Sequence, residues 1–301
     1  MKYDDLVSFL LDNKFKYLRN IPSKDLVSFK IGGMADFVVH PHTKSHFIML
    51  IKFLEENVIK YVVIGNGTNT YFSDHGFDGV IVTTKYLNKV FADGIYLVSE
   101  CGADIKICAN KALECGLTGL EFTYGIPGNV GGCVYMNASA FDMNMSNVVF
   151  KTTVYDTVSD KILELSLDEH KYFTKHSVFM EENKYIILES VFKLEYGDRI
   201  QISDKMESNI TKRMRTQPLE FPSAGSVFKR PMNAYASKLI DDAGLKGLSV
   251  GDAVVSNIHA GFIINAGSAT ASDVLKLIEI IKNRINLLYG ISLEEEIIYI
   301  E

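Results

Sequence analysis

Gly65-Asn66-Gly67-Thr68-Asn69 follows the continuous apolar run Tyr61-Val62-Val63-Ile64, which reads as a buried strand. A glycine loop after such a strand opens a dinucleotide-binding βαβ unit only if a helix starts there. None does, because Phe72-Ser73-Asp74-His75-Gly76-Phe77-Asp78-Gly79 is turn chemistry leading to another strand. A Rossmann-type unit is therefore not expected here. A second loop, Gly125-Ile126-Pro127-Gly128-Asn129-Val130-Gly131-Gly132, has glycines that let successive backbone amides close on a pyrophosphate without side-chain obstruction. Either loop alone also fits a plain tight turn. Together they suggest one extended cofactor held between two subdomains.

The rest of the pattern is mixed α and β. Residues 1–20 read as an amphipathic helix through Leu6, Phe9, Leu10 and Phe15, followed by strand, glycine turn and strand over 28–33 and 35–39. A helix at 44–56 and the strand at 61–65 complete a small α+β unit. Short strands are expected at 80–84, 95–100, 148–155, 161–166 and 186–194 around one helix at 103–115, which Gly116 ends. Helices at 203–215, 234–243 and 271–289 and strands at 260–264 and 296–300 follow, the long helix being opened by Ser272-Asp273. No internal repeat or low-complexity linker appears. The expected division is 1–84, 85–197 and 198–301.

With 31 Lys and Arg against 37 Asp and Glu, the net charge is -6, and no basic block offers a nucleic acid a surface. The start, MKYDDLVSFLLDN, carries acids where a signal peptide needs a positive region, and no apolar run approaches the length of a membrane span. A cytoplasmic location without membrane or nucleic-acid partners is expected. Cys101, Cys108 and Cys115 recur every seven residues, which fits one buried helix face better than a metal or redox site, and Cys133 stands apart. No metal is expected.

Pro222-Ser223-Ala224-Gly225-Ser226-Val227-Phe228-Lys229 presents a hydroxyl on a glycine-hinged turn. A serine that donates a proton needs dipolar or cationic neighbours to stabilise the alkoxide left behind, and Lys229, Arg230 and the amides around Gly225 are candidates. A turn whose serines cap a short helix is the plainer alternative.

These stretches carry a resemblance. FKIGGMADFVV, GNGTNTYFSDHGFDGV, GLEFTYGIPGNVGGCVYMNASA, RTQPLEFPSAGSVFK, DDAGLKG, SNIHAGFIIN and the terminal LEEE resemble, in order and spacing, the UDP-N-acetylenolpyruvoylglucosamine reductase (MurB) family over nearly the whole chain. The resemblance implies an α+β protein with a two-subdomain FAD-binding region of the vanillyl-alcohol-oxidase (PCMH) type, 1–84 and 85–197, and a C-terminal α/β substrate domain, 198–301. It implies non-covalent FAD contacts at Ile31, Gly32, Gly33, Gly65, Asn66, Gly67, Asn69, Ser73, Gly125, Ile126, Pro127, Gly128 and Gly132. NADPH is the implied reductant, and the implied reaction converts UDP-N-acetylglucosamine enolpyruvate to UDP-N-acetylmuramate for peptidoglycan. A monomer is expected.

By the same resemblance Ser226 matches the family's proton donor and Glu296 its carboxyl partner, although a glutamate in the run Glu294-Glu295-Glu296 would otherwise read as solvated surface charge. Lys175, in Thr174-Lys175-His176-Ser177-Val178-Phe179, stands where the family has arginine. It keeps the charge and loses the planar fork that grips a carboxylate at two points. Arg213, Gln217, Lys229 and Asn265 are candidate substrate-side residues. The family usually reads AGAYGGE where this chain has Ala138-Ser139-Ala140-Phe141-Asp142-Met143-Asn144, and commonly has glutamine at Val254. The 51 residues from Lys175 to Ser226 leave no room for a large lid, which resembles the shorter subclass without the tyrosine-bearing flap. His259 reads as a structural hydrogen-bonder. A diverged FAD-binding paralogue that senses a nucleotide sugar, and an FAD oxidase on the same scaffold, are the alternatives.

Overall fold

The computed structural model describes residues 3–181 and 184–301. Contacts divide the chain into two compact units that interleave along the sequence. The first takes the N-terminal residues to Ile21, then Ala35–Gly65 and Asp78–Asn209; the second takes Pro22–Met34, Asn66–Phe77 and Ile210–Glu301.

The two larger sheets of the first unit carry its core. One orders its strands Lys16–Pro22, Met34–His40, Phe77–Thr83 and Tyr61–Ile64, the last two parallel. The other is antiparallel throughout, in the order Lys161–Ser166, Val149–Asp156, Tyr185–Lys193, Tyr96–Glu100 and Val90–Asp93. Buried Leu6, Phe37, Phe47, Leu50, Phe122 and Phe192 belong to one continuous core that also covers the helices Asp4–Asp12, Lys44–Glu56 and Ile105–Glu114. Each helix contributes its apolar stripe at helical spacing, as Phe47, Leu50, Ile51 and Leu54 do.

The second unit centres on an antiparallel sheet in the order Ser223–Ser226, Phe262–Asn265, Ala253–Val255 and Ser249–Val250. Phe29, Ile31, Tyr71, Ile263, Leu277 and Ile281 form its separate core. Ile298–Ile300 pairs in parallel with Thr70–Phe72, so the end of the chain is tied to the loop after Asn69. The helix Ala271–Tyr289 opens with a reciprocal cap between Thr270 and Asp273, and Asp74 accepts the amides of Ala271 and Ser272 at 2.8 and 3.0 Å. A carboxylate at this end satisfies two orphan donors and opposes the helix dipole. The expected opener, Ser272-Asp273, thus lies just inside the cap.

Several sequence expectations change. The helix expected over 1–20 stops at Asp12, because the chain reverses at Lys14 (φ 56°) and buries Phe15, and Lys16–Pro22 is a strand. Residues 28–33 form no strand. Their backbone partners come from another loop, Ser28 N–H donating to Gly67 O and Phe72 N–H to Ile31 O, and Lys30 sits at φ 59°. The Gly125–Gly132 loop turns into a short helix, Val130–Tyr135, before it ends.

Cys108 lies on the helix Ile105–Glu114, Cys101 precedes it and Cys115 caps it, so the seven-residue spacing does not mark a single helix face. Burial pushes the thiols of Cys101 and Cys133 up to about 12 and that of Cys108 to about 11. Among the described residues, no helix is long and apolar enough to cross a membrane, and no group of three or more His, Cys, Asp or Glu is arranged to hold a metal ion.

Candidate active site

In the second unit Ser226 stands on a strand, not on a free turn. Ser223 pairs with Ile264 and Ser226 with Phe262, so one extra residue is absorbed between them as a bulge. Gly225 carries it at φ 81°, a conformation in which an L side chain is strained, and its missing Cβ faces open space. On the opposite side, residues 227–229 run antiparallel to 294–296. Glu296 N–H donates to Val227 O at 2.7 Å, Lys229 N–H donates to Glu294 O at 2.9 Å, and Phe228 bridges Glu295. This ladder brings Glu296 level with Val227, the residue next to Ser226, from far along the sequence.

The three glutamates then separate by environment. Glu294 and Glu295 are exposed and pair with Lys229 at 3.4 Å and Lys282 at 2.9 Å, whereas Glu296 is half-buried, as is Ser226. Only one carboxylate of the run is thus withdrawn from solvent. Two suggested cations have other partners: Lys229 is paired with Glu294, and the guanidinium of Arg230 lies 3.9 Å from the centre of the Tyr235 ring. Asn69 Nδ2 donates to Glu296 O at 3.0 Å, and Ile298 N–H donates to Asn69 O at 2.8 Å. Asn69 therefore anchors the backbone that carries Glu296.

The other expected residues of this unit divide into orphans and fasteners. Arg213 Nε and Gln217 Oε1 are buried without a hydrogen-bond partner, one turn apart at the end of the helix Arg199–Thr216, where burial lowers the arginine pKa. Unpartnered buried polar atoms cost free energy, which makes them signs of an expected ligand. Asn265 is the opposite case. Its Oδ1 accepts the amides of Gly267 and Ala269 and its Nδ2 donates to Phe29 O, so the side chain closes loops instead of standing free for a substrate. Ser73 Oγ accepts the His75 amide, and Ile31 is buried in the core. His259 Nδ1 accepts the Gly261 amide at 3.2 Å, a structural bond, and burial lowers its pKa.

In the first unit, the second glycine loop uses several of its amides internally: Ile126 donates to Thr123 O, Val130 to Ala103 O and Gly131 to Cys101 O. Asn129 Nδ2 donates to Gly102 O at 2.6 Å, while Asn129 Oδ1 and the nearby-strand hydroxyl Thr84 Oγ1 are buried and unpartnered. A Cβ on Gly132 would meet nothing within 4 Å. Gly32, Gly33, Gly65 and Gly67 differ, since a Cβ there would overlap Ser23 Oγ, Asp74 O, Asn129 Oδ1 and Leu26 O respectively. Those four glycines allow close packing of protein on protein. The orphaned acceptors and the open flank of Gly132 are what a polar cofactor such as FAD fits in this unit, where Gly125, Pro127 and Gly128 belong to the same loop as Gly132; Asn66, with Gly67, belongs to the second unit.

Lys175 sits at φ 55° in a two-residue turn closed by reciprocal bonds between Phe173 and His176, whose rings stack 3.8 Å apart. A lysine in a left-handed turn has no signal in its own residue type. The departures from AGAYGGE also meet here in a physical form: Ser139–Ala140 and Met143–Asn144 form a hairpin whose turn residues, Phe141 and Asp142, both adopt positive φ, 52° and 62°. The sequence shows the missing glycines at 142 and 143 and does not show that, of these two positions, Asp142 takes a positive φ and Met143 does not. Sequence reasoning also missed His170, wholly buried with both ring nitrogens unpartnered.

Residues 35–166 match the FAD binding domain family, and residues 217–300 match the family described as UDP-N-acetylenolpyruvoylglucosamine reductase, C-terminal domain. An FAD-binding domain followed by this C-terminal domain, in an α+β fold, defines the class of protein. A UDP-N-acetylenolpyruvoylglucosamine reductase of Caldanaerobacter subterraneus subsp. tengcongensis is 44% identical over 294 residues, covering 98% of this chain and 96% of the relative. One from Clostridium novyi is 43% identical over 285 residues, covering 95% and 92%. The crystal structure of the enzyme (MurB) from Thermus caldophilus superposes with a TM-score of 0.80 at 28% identity, covering 95% of this chain and 99% of that one. The chain belongs to the UDP-N-acetylenolpyruvoylglucosamine reductase family.

Proposed function

We propose that this protein is an NADPH-dependent FAD enzyme that reduces UDP-N-acetylglucosamine enolpyruvate to UDP-N-acetylmuramate, a step of peptidoglycan synthesis. The observation that carries the reading is the ladder of residues 227–229 with 294–296, which supports Ser226 as the proton donor and Glu296 as its carboxyl partner because it aligns Glu296 with Val227, the neighbour of Ser226. Family membership supports the same conclusion. The cofactor contacts are Gly65, Gly125, Ile126, Pro127, Gly128 and Gly132 of the first unit and Ile31, Gly32, Gly33, Asn66, Gly67, Asn69 and Ser73 of the second. FAD held by these residues would supply hydride for the vinyl carbon of the enolpyruvyl ether, with NADPH as the reductant.

The protein's own residues handle the charge and the proton. Hydride addition leaves negative charge on the substrate beside its carboxylate, and Ser226 Oγ–H donates a proton to the adjacent carbon. Glu296, half-buried beside it, assists as a hydrogen-bonding carboxyl group. Lys175 supplies the cation for the substrate carboxylate as a point charge. Arg213 and Gln217, with their orphaned buried atoms, contact the nucleotide sugar, and Lys229 adds its charge from the same unit, while Asn265 serves the site by holding its loops. The working division is 1–84 and 85–197 for the cofactor and 198–301 for the substrate, in a cytoplasmic monomer without nucleic-acid or membrane partners.

The test is anaerobic. The FAD-loaded protein is reduced with NADPH, UDP-N-acetylglucosamine enolpyruvate is added, and flavin absorbance is followed. Rapid return of the oxidised spectrum with formation of UDP-N-acetylmuramate is expected. A spectrum that stays reduced rejects the reading and favours a nucleotide-sugar sensor, and reoxidation by oxygen alone with peroxide release favours an oxidase.

A further inference from the structure

The turn that bears Lys175 is held by contacts from one short stretch of chain. Tyr172 OH donates to Val134 O at 2.9 Å and Ser177 Oγ donates to Tyr135 O at 2.6 Å, one on each side of the turn. The third contact reaches the turn itself: Asn137 Nδ2 donates to Phe173 O at 3.1 Å, the same carbonyl that accepts the His176 amide and closes the turn. Asn137 is 4% exposed and sits at φ 44°, a left-handed conformation that asparagine tolerates better than most residues. Its Oδ1 accepts the Ser146 amide at 3.0 Å, just past the hairpin Ser139–Asn144. One buried amide therefore ties the strained turn of Lys175, at its nitrogen, to the segment that follows the hairpin, at its oxygen.

We infer that Asn137 is a positioning residue for the reaction, fixing the Lys175 turn through Phe173 O. The inference rests on the role proposed above for Lys175. Whatever fixes this turn fixes the point from which the flexible stem of Lys175 reaches, and displacement of about an ångström at a catalytic group costs on the order of 100-fold in rate. Asparagine is suited to the task because it offers one donor and one acceptor in a fixed plane while accepting positive φ. Aspartate keeps the φ tolerance and the acceptor for Ser146 but removes the donor to Phe173 O. Glycine keeps the φ and removes both bonds.

The experiment compares Asn137→Asp and Asn137→Gly in the wild-type and Lys175→Ala backgrounds, using FAD-loaded protein. Three quantities are read: amide exchange over 171–177, the rate of flavin reduction by NADPH, and the rate of reoxidation by the enolpyruvyl substrate. Faster exchange at the His176 amide, unchanged reduction by NADPH, and reoxidation slowed roughly tenfold or more are expected in both variants. The slowing should vanish in the Lys175→Ala background. Equal slowing in both backgrounds, or exchange at His176 that stays at the wild-type rate, overturns the inference. If Lys175→Ala itself reoxidises at the wild-type rate, the role of Lys175 fails and the catalytic part of the inference with it, while the exchange data still decide whether Asn137 holds the turn.

Discussion

Ser226 and Lys175 are held by different means. The serine lies on backbone with ladder partners on both sides, Phe262 across one edge and the Glu294–Glu296 segment across the other. The lysine lies on a two-residue turn held by the side chains of Tyr172, Ser177 and Asn137. Backbone ladders depend little on which side chains occur along them, so the position of Ser226 tolerates substitution around it. Side-chain clamps are lost one residue at a time. Two departures from the family pattern, Lys175 and the lost glycine at Asp142, fall in the unit that uses clamps, and a third, Val254, falls in the unit of Ser226.

The strongest test of the ladder-held group is removal of its hydroxyl. Ser226→Ala should leave flavin reduction by NADPH unchanged and slow reoxidation by substrate by ~10²–10⁴-fold in stopped flow, the range of a lost proton donor. Equal loss in both half-reactions would break the assignment.

The clamp-held region should be the more acid-sensitive one. His170 precedes the Lys175 turn, is fully buried, stacks on Tyr172 at 5.0 Å and lies 5.3 Å from Phe179; burial lowers its pKa to about 4, opposed weakly by Glu169. The folded protein therefore favours neutral imidazole. The resulting stability is fully present above the ordinary histidine value of 6.5 and is lost as pH falls toward about 4. Chemical denaturation at pH 7 and pH 4 should show a difference of up to about 3 kcal/mol that His170→Phe reduces. Unaltered pH dependence in that variant would remove His170 from the account.

A smaller effect separates bulge from side chain at Gly225. Gly225→Ala adds a methyl group into open space at φ 81°, so only backbone strain is introduced. A loss of about 1–2 kcal/mol in urea unfolding is expected. The smallest effect runs the other way. Asp142→Gly at φ 62° relieves strain in a tight hairpin turn and should raise stability by ~0.5–1 kcal/mol, less the added freedom of glycine in the unfolded chain. No gain would mean that the Asp142 side chain makes compensating contacts.

Much of the fold was legible because it is written in local periodicity. The helix 271–289 and the strand 161–166 appear where their patterns put them, and Gly116, at φ 66°, ends its helix as a glycine should. Local periodicity failed where distant chain supplies the backbone partners. Residues 28–33 look like a strand and are not one, and Pro222–Ser226 looks like a turn, although Ser223–Ser226 is a strand with a bulge. The glycine loops were legible as glycine loops. That four of those glycines are packed against protein, with Gly132 alone among the five just compared having open space, was not.

The sequence by itself determined the family, the order of the elements and the inventory of reactive groups, because motif spacing and apolar period are properties of neighbours along the chain. Only the tertiary structure decided which of three adjacent glutamates is withdrawn from water, that Asn69 ties down Glu296, and that Asn137 clamps the turn of Lys175. Burial and hydrogen-bond partnership are relations between segments far apart in sequence, and they exist only once the chain has closed on itself.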